Sequence, residues 1–262
     1  MKKSRKVNER YYYILSLLSL AIFVFLWALL DNSEGSVIPN PIEVLRRFIL
    51  VIREPVAKTG LLMHIWASLR RVLIAFVFAS ASGIVVGILI GWFPNSIGAV
   101  LNPVFNFLRP IPPIAWIPLV ILAFGIAEVP KIVIVFIGAF FPVALNTISG
   151  LQMVDPLLLS AGRVLGANKR QLLFSVALPD SIPSILAGMK SALSSGWMCV
   201  VAAEMIVAKQ GVGFLINNGM EYNDPALVMV SMVVIGIVSA IITFVLTRLE
   251  RILTPWQNQK SK

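Results

Sequence analysis

Five stretches of this chain carry no Asp, Glu, Lys or Arg: Tyr11–Leu30, Val72–Phe93, Ile111–Ala127, Ile132–Val154 and Ala226–Thr247. About 20 apolar residues carry a helix across the hydrocarbon core of a bilayer, and four of the runs reach that length. A sixth stretch, Ile185 to Ala208, reaches it beyond Lys190 only if Glu204 lies inside the span. Of the 262 residues, 58% are hydrophobic and 13% charged, whereas globular chains average about 45–50% and about 25%. These runs exclude an ordinary soluble domain. They predict an all-α polytopic membrane protein with six transmembrane helices, because a helix satisfies every backbone group of a lipid-exposed segment internally.

Lys and Arg counts orient such a chain. With both termini in the cytoplasm, 14 of the 22 basic residues fall on the inner side and 8 on the outer. The acids divide the other way, 4 inside and 8 outside, so the two sides carry +10 and 0. The whole formal charge of +10 is thus a topology signal, and no nucleic-acid partner is needed to explain it. The opening MKKSRKVNER and the apolar run after it resemble a secretory signal. That run is too long for such a signal's apolar region and no A-x-A-like cleavage site follows, so Tyr11–Leu30 is expected to be an uncleaved first span. The expected organisation is a tail at 1–10, one membrane domain at 11–250 and a second tail at 251–262.

Prolines break the third run. In LRPIPPIAWIPLVILAFG, Pro110, Pro112, Pro113 and Pro118 each remove a backbone donor and fix φ. Freed backbone groups at membrane depth persist where they are buried in protein or line a wet cavity, and the prolines alone leave both open. Trp116 within it reads as a gate or as a packing aromatic. Arg109, expected at the cytoplasmic edge, either attracts an anion or extends toward headgroups. Glu204 is the most informative charge within a span, since such groups face a cavity or a partner. Its place near a helix end, five residues before Lys209, leaves open an ion-paired bracing role and a gating role.

Two connections read as folded. In VIPNPIEVLRRF, Asn40 is expected to cap a short helix with Pro41 at its first position and Glu43 at its third. The longer connection, about 153–184, exceeds what a structureless link needs. Asp155 and Pro156 start a helix through LLLSAGRVL, and Gly166 supplies its stop. Asn168 and Gln171 form a capping-box-like pair that restarts a helix through KRQLLFSVAL, expected to end at Pro179. The product is a helix, a glycine elbow and a second helix. Ser160, Ala161, Gly162, Gly166 and Ala167 keep long side chains off that elbow, which allows the groove of another protein to approach. Elsewhere, Gly83, Gly87 and Gly91 recur every fourth residue and predict a close helix–helix contact.

SAGRVLGANKRQLLFSVALP resembles the EAA loop of ABC importer permeases, with Ser160-Ala161-Gly162 in the place of Glu-Ala-Ala, then Gly166, then Val176-Ala177-Leu178-Pro179. The spacing agrees throughout; Ser160, Gly162 and Val176 depart from the pattern's side chains. LRPIPPIAWIPLVILAFGI, AFFPVALNTISG, VVAAEMI followed by GVGFLI, and LERILTPW are similar to the nitrate, sulfonate and taurine branch of these permeases. The resemblance runs from Val37 to Trp256. It implies the type I ABC importer permease fold, in a bacterial plasma (inner) membrane. It also implies a dimer with a second permease copy, two cytoplasmic ATPase subunits that use ATP and Mg, and an external solute-binding protein. The coupling residues it implies are Ser160, Ala161, Gly162, Arg163, Gly166, Ala167, Leu178 and Pro179. The path or gate candidates are Arg109, Pro112, Pro113, Trp116 and Glu204. The implied cargo is a small solute, an anion such as a sulfonate, taurine or nitrate.

Other classes fit less well. An intramembrane enzyme needs a constellation such as HExxH or paired acids, and neither is present. No G-x-x-x-x-G-K-[ST] loop occurs, so the chain is expected to bind no cofactor and to leave ATP hydrolysis to other subunits. The single cysteine, Cys199, excludes an intramolecular disulfide and reads as a packed small residue; the lone His64 reads as neither catalytic nor metal-binding. A proton-coupled secondary transporter working through Glu204 is the alternative, and it leaves the folded loop unexplained.

Overall fold

A computed structural model describes residues 9–29 and 38–253. The N-terminal tail up to residue 8, the segment 30–37 and the closing Thr254-Pro255-Trp256 lie outside the described residues. No strand occurs among the described residues, only one isolated pairing of Val56 with Thr59. The helices are α1 Glu9–Leu29, α2 Pro41–Arg53, α3 Leu61–Trp92, α4 Ile97–Leu108, α5 Ile117–Phe124, α6 Glu128–Gln152, α7 Pro156–Val164, α8 Lys169–Leu172, α9 Leu178–Val207, α10 Val212–Glu221 and α11 Pro225–Leu253. Four described helical stretches are long and apolar enough to cross a membrane: α3, α6, the continuous run 169–207 and α11. Ile97–Leu108 with Pro113–Phe124 is a helix pair bent by 91°, a further crossing if the pair counts as one span. With α1, 21 residues long, the six expected membrane elements are present.

The core is a stack of α3, α6 and α9. Val72 and Ala75 of α3, Ile134 and Val135 of α6, and Leu193, Trp197 and Val200 of α9 bury one another, with Ile117 and Val120 of α5 laid on top. The glycine stripe faces inward, against α6. A Cβ on Gly87 would stand 2.5 Å from Thr147 Cβ and 2.9 Å from the Ala144 carbonyl oxygen, so only glycine permits that approach. Pro142 lies inside α6, and Asn146 Nδ2 donates to the Pro142 carbonyl at 2.9 Å.

α2 forms as its sequence dictates: Asn40 and Glu43 make a reciprocal capping box with Pro41 at the first position. Arg47 pairs with Asp224 at 2.7 Å, tying α2 to the start of α11.

Two boundaries differ from expectation. The charge-free run that begins at Val72 is only part of α3, which starts at Leu61 and takes His64, Ser68, Arg70 and Arg71 into the helix. Arg71 does not end the helix because two carboxylates receive its guanidinium. The elbow's second helix also does not stop at Pro179. Residues 173–177 form a π turn in which the Leu178 N–H reaches back to the Leu173 carbonyl, and the chain runs on through Pro179 and Pro183 into α9. The wider turn, of a kind common inside α-helices, sits where the missing proline N–H would otherwise break the ladder.

Candidate coupling elbow and translocation path

The elbow is built by local chemistry. The Asp155 carboxylate accepts from the Leu157 N–H at 2.8 Å, and Pro156 opens α7. Gly166 ends it at φ +85°. The Gly166 N–H reaches the Arg163 carbonyl at 2.9 Å, and the Ala167 N–H reaches that of Gly162 at 3.0 Å. This paired closure needs a left-handed residue, which glycine supplies without strain. Asn168 and Gln171 then cap α8 reciprocally at 2.8 and 2.9 Å. α8, the π turn and α9 form one uninterrupted helical run.

Gly162 explains one departure from the EAA pattern. A Cβ there would lie 2.7 Å from Leu172 Cδ2, where α7 rests on α8; the alanine of the pattern fits only if Leu172 moves. Underneath, Leu173 and Ala177 pack with Leu151 and Val154 at the end of α6. The outer face is apolar and open. Val164 and Leu165 are 88% and 87% exposed, and Leu157 and Phe174 are exposed beside them. Ser160, Ala161, Arg163 and Gly166 are exposed, while Gly162, Ala167 and Leu178 are half-buried. Sequence reasoning passed over Val164 and Leu165, whose signal was two large apolar residues immediately before a stop glycine.

The proline segment forms the 91° bend. Pro113 begins a single 3-10 turn, Pro113–Trp116, before α5. Phe105, at the near end of α4, packs against Phe141 with ring centroids 5.4 Å apart and planes tilted by 52°. Pro113 lies 3.6 Å from the Cβ position of Gly138. Phe105 and Pro113 therefore bracket the bend against the middle of the 25-residue α6. Arg109, which caps α4 between those contacts, is exposed beside mid-α6. Pro112 is exposed and Pro113 half-buried. Trp116 packs against the core of α3, α6 and α9, yet its indole N–H is buried and meets no acceptor among the described residues.

Glu204 lies at the opposite end of the stack from the elbow and is buried. Its Oε1 accepts from Arg71 Nη1 at 2.6 Å. Its Oε2 accepts from the Ser68 hydroxyl at 2.8 Å and the Gly213 N–H at 3.0 Å. Arg71 also donates to the Gln210 carbonyl at 2.8 Å and, through Nε and Nη2, to both oxygens of Glu128. Lys131 adds a contact of 2.6 Å to Glu128. His64 is fully buried, with Nδ1 accepting from the Gly211 N–H at 3.1 Å and its ring stacked on Phe214. One network, buried except at Glu128, thus joins α3, α6, α9 and α10. Lys209, the neighbour in sequence, is not the partner of Glu204.

The model of the binding-protein-dependent transport system inner membrane component matches residues 83–259. The chain belongs to that family. This permease is 39% identical over 245 residues to a probable ABC transporter permease protein of Brucella abortus (strain 2308), covering 94% of this chain and 96% of that protein. It is 35% identical to the taurine transport system permease protein of Escherichia coli (strain K12), over 94% of this chain and 90% of that one. The nitrate import permease protein of Synechocystis sp. is 33% identical over 90% of this chain and 88% of its own. These relatives place the permease in the nitrate, sulfonate and taurine branch. Among solved structures, an inward-facing form of the MetNI methionine ABC transporter matches with a TM-score of 0.65 and 21% identity. That match covers 74% of this chain and 96% of the other, and it shows the type I importer permease fold. The permease is a multi-pass inner-membrane protein, and the family is the membrane component of its transporters.

Within the permease, the eight residues expected to couple lie along α7, the glycine elbow and the start of α9. The structure sets Pro112, Pro113 and Trp116 at the bend beside Arg109. It removes Glu204 from both groups and gives it a network of its own. Arg71, Ser68 and Glu128 were the residues missed there. Their only sequence signal was position, since each follows or precedes an apolar run by a few residues.

Proposed function

We propose that this chain is the permease subunit of an ABC importer for a small anion such as a sulfonate, taurine or nitrate. Residues 11–250 form one transmembrane permease domain between cytoplasmic tails at 1–10 and 251–262. The elbow carries this reading: two capped helices hold Val164 and Leu165 out to solvent, and the second continues without a break into α9. A cluster of exposed apolar groups suits a partner's groove. Two cytoplasmic ATPase subunits are the partners that fit, and they supply the ATP and Mg chemistry that this chain has no phosphate loop to perform. A second permease copy completes the path and an external binding protein delivers the solute. ATP-driven closure of the ATPases moves the elbows; α9 carries that movement into the stack and shifts the population between inward-open and outward-open states.

Glu204 does not favour a proton carrier. Its oxygens accept from three donors, one of them a guanidinium, and a proton would displace that charged partner.

The test is uptake in proteoliposomes carrying the permease, its ATPase subunits and its binding protein, with nitrate, taurine and ethanesulfonate as solutes. ATP-dependent accumulation that survives collapse of the proton gradient is expected. Uptake that follows the proton gradient and ignores ATP depletion is the contrary result, as is nucleotide turnover by the purified chain alone.

A further inference from the structure

α2 carries two apolar faces, and the fold uses one of them. Val44 and Val51 are buried in a cluster with Leu61, Val212, Leu215 and Leu227, and Phe48 packs at its edge. Ile42, Leu45, Ile49 and Ile52 are exposed. At 3.6 residues per turn these four positions share one arc of about 80°, a single stripe along the helix. One edge of the stripe borders Phe48. Arg46 and Arg53 lie within about 40° of the other edge; both are exposed, and neither forms an ion pair among the described residues. Beyond them come Glu43, turned to its own capping box, and Arg47, paired with Asp224. Leu50 is the one exposed large apolar residue of α2 off the stripe. A helix with an apolar face, a basic edge and a charged far side lies in the plane of a membrane interface.

Two further observations say that lipid covers the stripe. The first is continuity with the spans. A cavity of about 410 Å³ opens where Phe48 and Ile52 meet Leu62 and Met63 of α3 and Ile237 of α11, and its whole lining is apolar. Leu62, Met63 and Ile237 are exposed on helices long and apolar enough to cross a membrane, so the stripe extends their outward face. The second is a pair of tryptophans, a residue that gathers at headgroup level. Trp27 of α1 donates from Nε1 to the Pro39 carbonyl at 3.2 Å, immediately before the Asn40 cap. Trp66 stands 53% exposed on α3, less than one turn beyond Met63.

We infer that α2 is an interfacial anchor in the leaflet farther from the elbow: its stripe lies among acyl chains, one of which enters the cavity beside Ile52, and Arg46 and Arg53 meet anionic phospholipid headgroups. An arginine suits that edge, because its stem lies along apolar surface while its guanidinium pairs with a phosphate. Through Arg47 and Asp224 the anchor also holds the start of α11. The inference concerns lipid alone and stands apart from the identity of the solute.

The full-length permease is reconstituted in vesicles of phosphatidylcholine with phosphatidylglycerol, carrying a spin label at one introduced cysteine at a time. Cys199 is buried and adds little background. Relaxation of the label by oxygen, which concentrates in the bilayer, is compared with relaxation by a water-soluble nickel chelate. Labels at Ile42→Cys, Leu45→Cys, Ile49→Cys and Ile52→Cys are expected to be relaxed more by oxygen, and a label at Glu43→Cys more by nickel. All five positions are exposed, and native melting of each labelled chain checks the fold. A stripe relaxed mainly by nickel stands in water and overturns the anchor. One shielded from both reagents is covered by protein, such as a second copy of the chain, and overturns it too. For the headgroups, a fluorophore at Ile49→Cys is quenched with spin-labelled phosphatidylglycerol or phosphatidylcholine. The anionic lipid is expected to reach half-quenching at about fivefold lower mole fraction, the preference that one arginine gives an anionic surface. Arg46→Gln/Arg53→Gln is expected to remove that difference. Equal quenching by the two lipids with both arginines present overturns the headgroup contact.

Discussion

Glu204 shows what a single residue can and cannot reveal. A carboxylate within a span demands a partner, and that demand was readable. The identity of the partner was not. Lys209 is five residues away, whereas Arg71 is separated by 133 positions and comes into reach only when α3 packs beside α9. Arg71 is 3% exposed and the Glu204 side chain fully buried, so removing one partner strands the other, at a cost of about 3–5 kcal/mol for a buried pair. Glu204→Gln and Arg71→Met are each expected to lower the thermal stability of the purified permease markedly. The double variant Arg71→Met/Glu204→Leu should lose less than the sum of the two, because contacting residues are not additive. Strict additivity of the melting shifts would show that the two groups do not act as a pair. The same reasoning covers His64: its burial and its contact with Gly211 give it a bracing role that its isolation in sequence could not suggest.

At the scale of elements, legibility followed locality. The helix ends at Asn40, Asp155, Gly166 and Asn168 were all readable, because a cap involves residues within three or four positions of one another. The π turn was not. Pro179 ends an isolated helix, yet the packing of Leu173 and Ala177 under α6 keeps the chain helical through it. The depth of the bend was hidden for the same reason, since it is set by Gly138 and Phe141 on another helix. Gly166 offers the cleanest test of an element. Its φ of +85° is a genuine outlier for a β-branched residue, with strain of about 1–3 kcal/mol. Nothing lies within 4 Å of its Cβ position, so a substitution there changes the backbone without crowding the fold. Gly166→Val is expected to speed amide hydrogen exchange across α7 and α8 and leave α3 and α6 protected; Gly166→Ala should do so less. Identical exchange in the valine variant and the wild type would mean that the elbow is not held by its glycine.

Across the whole molecule, charge sorts by end. The network of Arg71, Glu128, Lys131 and Glu204 gathers at one end of the stack, and Arg163, Lys169 and Arg170 lie on the elbow at the other. That separation suits the orientation expected from the basic residues, and cysteine labelling in intact cells tests it. Thr59→Cys should react with a membrane-impermeant reagent added outside, while Ala161→Cys should react only after the membrane is opened; the reverse pattern would invert the chain. If the elbow joins this permease to its ATPase, as proposed, the exposed pair Val164 and Leu165 is where the contact is tested. At 88% and 87% exposure, they contribute little to the fold of the chain itself, and surface changes of that kind usually stay within about 0.5 kcal/mol. Val164→Asp/Leu165→Asp, coexpressed with the ATPase subunits and purified through the permease, is predicted to enter the membrane and dimerise normally while losing the copurifying ATPase. Wild-type recovery of the ATPase with that variant would contradict the account.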